Sequence, residues 1–244
     1  LVKEAEMHQR LHPAVSYAGI ALLVGLALSV SGARDTVHSA GAPAAFELTK
    51  VQLEQNATDG DFEIVFEVMG GDEGLAKLTV VAPNGRKVVD LAGRDTLGLG
   101  IRQFRFETPE PKDRRSLQAA YPAGTYIFSG TTSSGATLHG RATLSHQLPA
   151  ASVVVQPAAG AKGVATRGMV LSWKDVAGVA AYAVSIEQEE LDQSVTAKLP
   201  GTATSFVVPD GFLLPNTEYT VGVGAVMKTG NAAFVETKFT TAAK

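Results

Sequence analysis

The sequence predicts an all-β chain of two tandem antiparallel β-sandwiches behind an N-terminal apolar segment. Three observations carry this. From Phe46 onwards apolar residues fall into short runs of period two separated by turn residues, the pattern of half-buried strands. The 25 glycines and 11 prolines are scattered between those runs as punctuation, and no long amphipathic helical period persists beyond residue 34. The 244 residues exceed one ordinary domain once the N-terminus is set aside, so the strands divide into two units, each large enough to bury a core.

Between Ala14 and Val30 the chain is apolar and uncharged, with Lys3 and Arg10 before it and Ser31-Gly32-Ala33 after it. Basic residues, an apolar stretch and small residues in that order spell an export signal cleaved near Ala33. The 17 residues also reach the lower edge of a bilayer-spanning helix, so residues 1–33 read as a signal peptide or a membrane anchor. The expected location is periplasmic, cell surface or secreted. With no cysteine in the chain, a lipid-anchored cysteine, a disulfide framework, a thiolate nucleophile and a cysteine-ligated zinc site are all excluded. Residues 34–45 are small and polar, which suits a flexible tether.

Residues 46–147 make the first sandwich. Phe46–Leu48 and Val51–Leu53 are weak strands, whereas Phe62–Val68 is a strong one, with Phe62, Ile64, Phe66 and Val68 on one face. Leu78–Val81 and Arg86–Leu91 flank Asn84-Gly85, a pair suited to the positive φ of a tight hairpin. Further strands run over Ile101–Glu107, Thr125–Gly130 and Thr137–Leu144, while Pro109–Arg115 reads as a charged, mobile loop because its two prolines cannot continue a sheet. Tyr121-Pro122-Ala123-Gly124-Thr125-Tyr126 resembles a turn-then-strand corner of bacterial immunoglobulin-like modules. Strand count and turn spacing therefore suggest an immunoglobulin-like sandwich.

After a short linker at Leu148–Ala151, a second strand series starts at Val153. Met169-Val170-Leu171-Ser172-Trp173 ends a strand in a tryptophan, Ala181–Ile186 alternates about Tyr182, and Leu213-Leu214-Pro215-Asn216-Thr217-Glu218-Tyr219 leads into Val221 and Val223. These three anchors, in this order, resemble the fibronectin type III domain over about residues 152–241. The resemblance implies a sandwich in which Trp173 and Tyr182 are core and the Tyr219 hydroxyl bonds back to the preceding loop. The final hairpin holds Met227-Lys228-Thr229-Gly230-Asn231 and no Arg-Gly-Asp, so integrin recognition through that tripeptide is not implied.

Chemistry is sparse. His139 and His146 are seven residues apart, an odd spacing that puts them on opposite faces of an uninterrupted strand and does not suit shared metal ligation. Asp59-Gly60-Asp61 with Glu63, and Glu187, Glu189 and Glu190 with Asp192, are the acidic clusters; neither supplies the six to eight oxygens of a calcium loop, and a solvated turn and a guarded sheet edge are the readings preferred. No Gly-x-Ser-x-Gly elbow and no phosphate loop opening a helix is present. Asn56-Ala57-Thr58 fits an N-glycosylation acceptor, which matters only in a eukaryotic secretory pathway. No residue is assigned to catalysis, cofactor binding or metal binding, and no cofactor is expected.

A formal charge of −3 with no basic run excludes an electrostatic nucleic-acid partner. Contact with membrane is expected only through the N-terminal segment, if uncleaved. The reading is an exported, non-catalytic β-sandwich protein of the bacterial cell envelope, serving as an adhesion, ligand-binding or spacer module with a protein or glycan partner. The alternative is an accessory carbohydrate- or substrate-binding component of an extracellular enzyme system.

Overall fold

The computed structural model describes residues 44–93 and 101–243. The signal or anchor segment and nearly all of the tether lie outside the described residues. The first sandwich is built from β1 (Ala44–Ala45), β2 (Leu48–Asn56), β3 (Asp61–Met69), β4 (Leu75–Val81), β5 (Lys87–Ala92), β6 (Gln103–Glu107), α1 (Arg114–Ala120), β7 (Gly124–Thr132) and β8 (Thr137–Leu144). The second comprises β9 (Val154–Gln156), β10 (Ala161–Val164), β11 (Val170–Trp173), β12 (Ala181–Gln188), β13 (Gln193–Pro200), β14 (Ser205–Val207), β15 (Glu218–Val226) and β16 (Ala232–Thr241).

In the first sandwich the sheet β1-β8-β7-β4-β5 lies over β2-β3-β6. Alternation decides which side chains meet between them: Val51 and Leu53 of β2 and Ile64, Phe66 and Val68 of β3 pack with Leu78, Val80, Tyr126 and Phe128. In the second, β14-β11-β9 covers β13-β12-β15-β16 around Leu171, Trp173, Tyr182, Ile186, Tyr219, Val221 and Phe239.

The sequence suggested two sandwiches held by a linker, and the structure adds a joint. β16 of the second pairs in parallel with β2 of the first, in the register Ala232–Glu54, Ala233–Gln55 and Phe234–Asn56. The strands β13-β12-β15-β16-β2-β3-β6 therefore form one sheet running through both cores. The expected antiparallel order is also interrupted where β1 joins β8 and β10 joins β16, both in parallel. Such pairings have no hairpin between the partners and leave no turn signal to read.

Four local expectations change. Ala44 and Ala45, placed in the tether, pair with Leu138 and His139. The two weak strands after Phe46 are one strand, β2, because Lys50 and Gln52 continue its alternation on the face away from the core. The Asn84-Gly85 hairpin forms, but its loop is longer: Gly85 N donates to Ala82 O at 2.9 Å and only Gly85 of the pair has positive φ, +82°. Pro83 favours this turn, with glycine in its left-handed position. Finally, the charged loop ends in α1, which Asp113 caps by accepting from Ser116 N at 2.7 Å while Leu117 plugs into the core.

Candidate functional site

The shared sheet has an outer face, and its composition makes a groove. Core-facing Tyr182, Val184 and Ile186 leave Ala181 and Ala183 outward on β12, and the same alternation leaves Gly222, Gly224 and Val226 on β15. On the first-sandwich side the outward residues are long and polar: Lys50, Gln52 and Glu54 on β2, Glu63 and Glu67 on β3, Arg105 and Glu107 on β6. Small side chains beside long ones leave a trough of about 540 Å³, lined by Lys50, Gln52, Glu54, Glu67, Arg105, Ala181, Ala183, Lys198, Val226, Lys228, Phe234 and their neighbours. The Phe234 ring lies against Gly224, where a Cβ would collide with it.

One wall is an ion network centred on Arg105. Its guanidinium reaches Glu54 at 3.2 Å, Glu67 at 3.1 Å and Glu107 at 2.7 Å, and Lys50 joins Glu67 at 3.4 Å. Burial opposes the Arg105 charge, but Glu54 and Glu107 hold its pKa above the ordinary value. Burial dominates at Glu54, raising its pKa against the pull of Arg105. Glu63 goes further: burial, then the nearby Glu107 and Glu54, push its carboxyl up to about 8. The neutral form of Glu63 is thereby favoured well above the usual carboxylate range.

The groove is closed at one end by the turn from Met227 to Asn231, which docks on the first sandwich. Gly230 has φ +94°, and a Cβ there would lie 2.7 Å from Gln52 Oε1 and 2.9 Å from Lys50 Cε; only glycine meets both requirements. Next to it Asn231 is 1% exposed. Its Oδ1 accepts from Leu53 N at 2.9 Å, and its Nδ2 donates to Ser145 O at 2.8 Å, Ser145 Oγ at 3.0 Å and Gln147 O at 2.7 Å. One carboxamide therefore ties the last hairpin to β2 of the other sandwich and to the stretch that leads into the linker. Farther along, Ala57 N donates to Phe234 O at 2.7 Å and Glu236 N to Thr58 Oγ1 at 2.7 Å.

Of the residues singled out from sequence only Glu63 lies beside this network; the others lie elsewhere. Tyr219 is fully buried; its hydroxyl accepts from Leu214 N at 2.8 Å and donates to Phe212 O at 3.3 Å, the corner implied by the resemblance. Trp173 is core and packs on Tyr182 with ring centroids 5.3 Å apart. Tyr126 makes the equivalent corner in the first sandwich, donating to Pro122 O at 3.1 Å. His139 is exposed on β8, while His146 lies past its end with Nε2 2.8 Å from Tyr121 O; they are not brought together. Asp59 and Asp61 cap their own turn, accepting from Asp61 N at 3.1 Å and Phe62 N at 2.7 Å. Among the described residues no group of three or more histidines and carboxylates could hold a metal ion.

The groove itself was missed. Its residues come from both halves of the chain, and the alanines and glycines that floor it look unremarkable until β16 and β2 meet. Phe234 opens a face of β16 that continues through Glu236 and Lys238.

No family model matches the chain, and no curated protein matches it. Solved structures that it resembles include fibronectin type III modules. The three-domain FN1-FN3 segment of chicken CNTN1 gives a TM-score of 0.31 at 14% identity, covering 82% of this chain and 66% of that one. A two-domain segment of chicken tenascin gives 0.31 at 14% identity, covering 80% and 99%. The fibronectin(III)-like modules of Clostridium thermocellum CbhA give 0.33 at 7% identity, covering 81% and 93%. Likenesses at these scores bear on neither the function nor the mutual arrangement of the two sandwiches.

Proposed function

We propose that the chain is a non-catalytic module of an exported bacterial envelope protein, in which two sandwiches act as one rigid spacer that displays a ligand-binding face. The joint supports this reading. Tandem sandwiches connected only by a linker move independently by default, whereas here a strand pairing, the Asn231 carboxamide and the Thr58–Glu236 contact fix one against the other. The groove, whose walls come from both sandwiches, keeps its shape only while that joint holds. Among the described residues no helix is long and apolar enough to cross a membrane; export rests on residues 1–33.

The absence of cysteine makes the test direct. Lys87→Cys in β5 and Ser194→Cys in β13, both exposed, carry one spin label on each sandwich. A single narrow distance distribution supports the spacer, and a broad one refutes it. Fractionation with intact-mass analysis separates a mature chain starting after Ala33 from a membrane-held one. The reading as an accessory binding component of an extracellular enzyme system draws on the groove alone.

A further inference from the structure

Two cations in the groove have no use within the chain. Lys198 and Lys228 are exposed, line the trough, and make no ion pair or hydrogen bond among the described residues. The other two cations, Lys50 and Arg105, are paired with Glu54, Glu67 and Glu107 on one wall. The two free lysines therefore make the opposite side of the groove locally positive in a chain whose overall charge is −3, and a positive patch in a cleft attracts anions. A further polar atom is idle: Gln52 is 3% exposed, and its Oε1 has no hydrogen-bond partner. Phe234, backed by Gly224, supplies an aromatic surface. The volume lies within the roughly 300–1,000 Å³ of small-ligand clefts.

We propose that the groove binds an acidic oligosaccharide: sugar carboxylates meet Lys198 and Lys228, the apolar face of a sugar ring rests on Phe234, and a hydroxyl donates to Gln52. An anion alone would need only the lysines; an aromatic platform and an idle acceptor ask for a ligand with apolar faces and hydroxyls. An acidic peptide fits less well. Extended peptides bind sheets by adding to an open edge; the open edges of this sheet are β13 and β6, at its two ends, whereas a ligand resting on Phe234 lies over β12, β15, β16 and β2, each paired on both sides. The inference rests on the rigid joint proposed above.

The test is calorimetric titration of the whole protein with tetragalacturonate, its neutral unoxidised counterpart and a tetraglutamate peptide, at low salt and at about 0.15 M salt. Tetragalacturonate is expected to bind best at both salts. Lys198→Ala with Lys228→Ala should weaken it roughly tenfold or more, and Phe234→Leu should weaken the sugar without affecting the peptide. The proposal is overturned by no binding, by equal binding of tetraglutamate, by binding lost entirely at the higher salt, or by binding indifferent to the lysines. Spin-label distances on the same samples separate the two readings. Absent binding with a narrow distribution overturns the groove assignment alone, and absent binding with a broad one overturns the spacer as well.

Discussion

Replacing Asn231 with alanine removes four hydrogen bonds and no core volume. Leu53 N would keep no acceptor in a site that stays buried, because Asn231 occupies the place where β16 would continue its pairing with β2. A stranded buried donor costs about 1–3 kcal/mol. The three bonds donated to Ser145 and Gln147 end on partly buried groups that water can recover in part, so the total comes to about 2–4 kcal/mol. Urea denaturation measures this, with the spin-label pair recording whether the joint opens. Asn231→Asp sharpens the test: it keeps the acceptor for Leu53 N but turns the donated bonds into carboxylate–oxygen contacts, and should do at least as much damage as alanine. A loss below about 0.5 kcal/mol with an unchanged distance distribution would refute the role given to this side chain.

Other outcomes follow from single contacts. Tyr219→Phe should cost about 1–1.5 kcal/mol by removing the corner hydroxyl, and Trp173→Ala roughly 3–5 kcal/mol through the cavity it leaves; denaturation of the whole chain reads both, and an unchanged Tyr219→Phe protein would undo the corner. Because the folded protein holds the Glu63 proton up to about pH 8 against 4.5 for the ordinary carboxyl, it binds that proton more tightly than the unfolded chain. Stability from this group is full below pH 4.5 and falls as pH rises through about 8. Glu63→Gln should therefore match the native protein near pH 5 and exceed it near pH 9 in urea midpoint; parallel pH profiles would contradict this. Gly224→Ala places a methyl in the Phe234 ring and should cost about 1–3 kcal/mol, with ring nuclear Overhauser contacts to β15 lost; retained contacts would show that the ring does not depend on this glycine.

Strands whose alternation serves a buried face were legible. Phe62–Val68, Thr137–Leu144 and Tyr219–Val223 show their period directly, and the core positions of Tyr219 and Trp173 are those implied by the fibronectin type III resemblance. Strands without a strong apolar set were not: β13 alternates Val195, Ala197 and Leu199 at an exposed edge, and β10 is Ala161-Lys162-Gly163-Val164. α1 was hidden by the prolines before it, although Asp113 three residues ahead of Ser116 is the usual mark of a capped start. The groove had no local signature, since pairing of β16 with β2 is tertiary and its lining residues mean little apart. Neither Lys198 nor Gly230 carries a signal of its own in the sequence.

That same pairing sets an order of assembly. Leu53 and Asn231 are 178 residues apart, so in a chain that emerges N-terminus first, β2 is complete long before the strand that will cover its free side. Contacts of such separation form late, and through that interval the first sandwich presents an open strand edge, the usual entry point for pairing with another molecule. Along that edge stand Lys50, Gln52 and Glu54, where alternating charge discourages a neighbour's strand from adding. The side chains that wall the finished groove thus act earlier as guards of unfinished sheet, and any change that delays the second sandwich prolongs their watch.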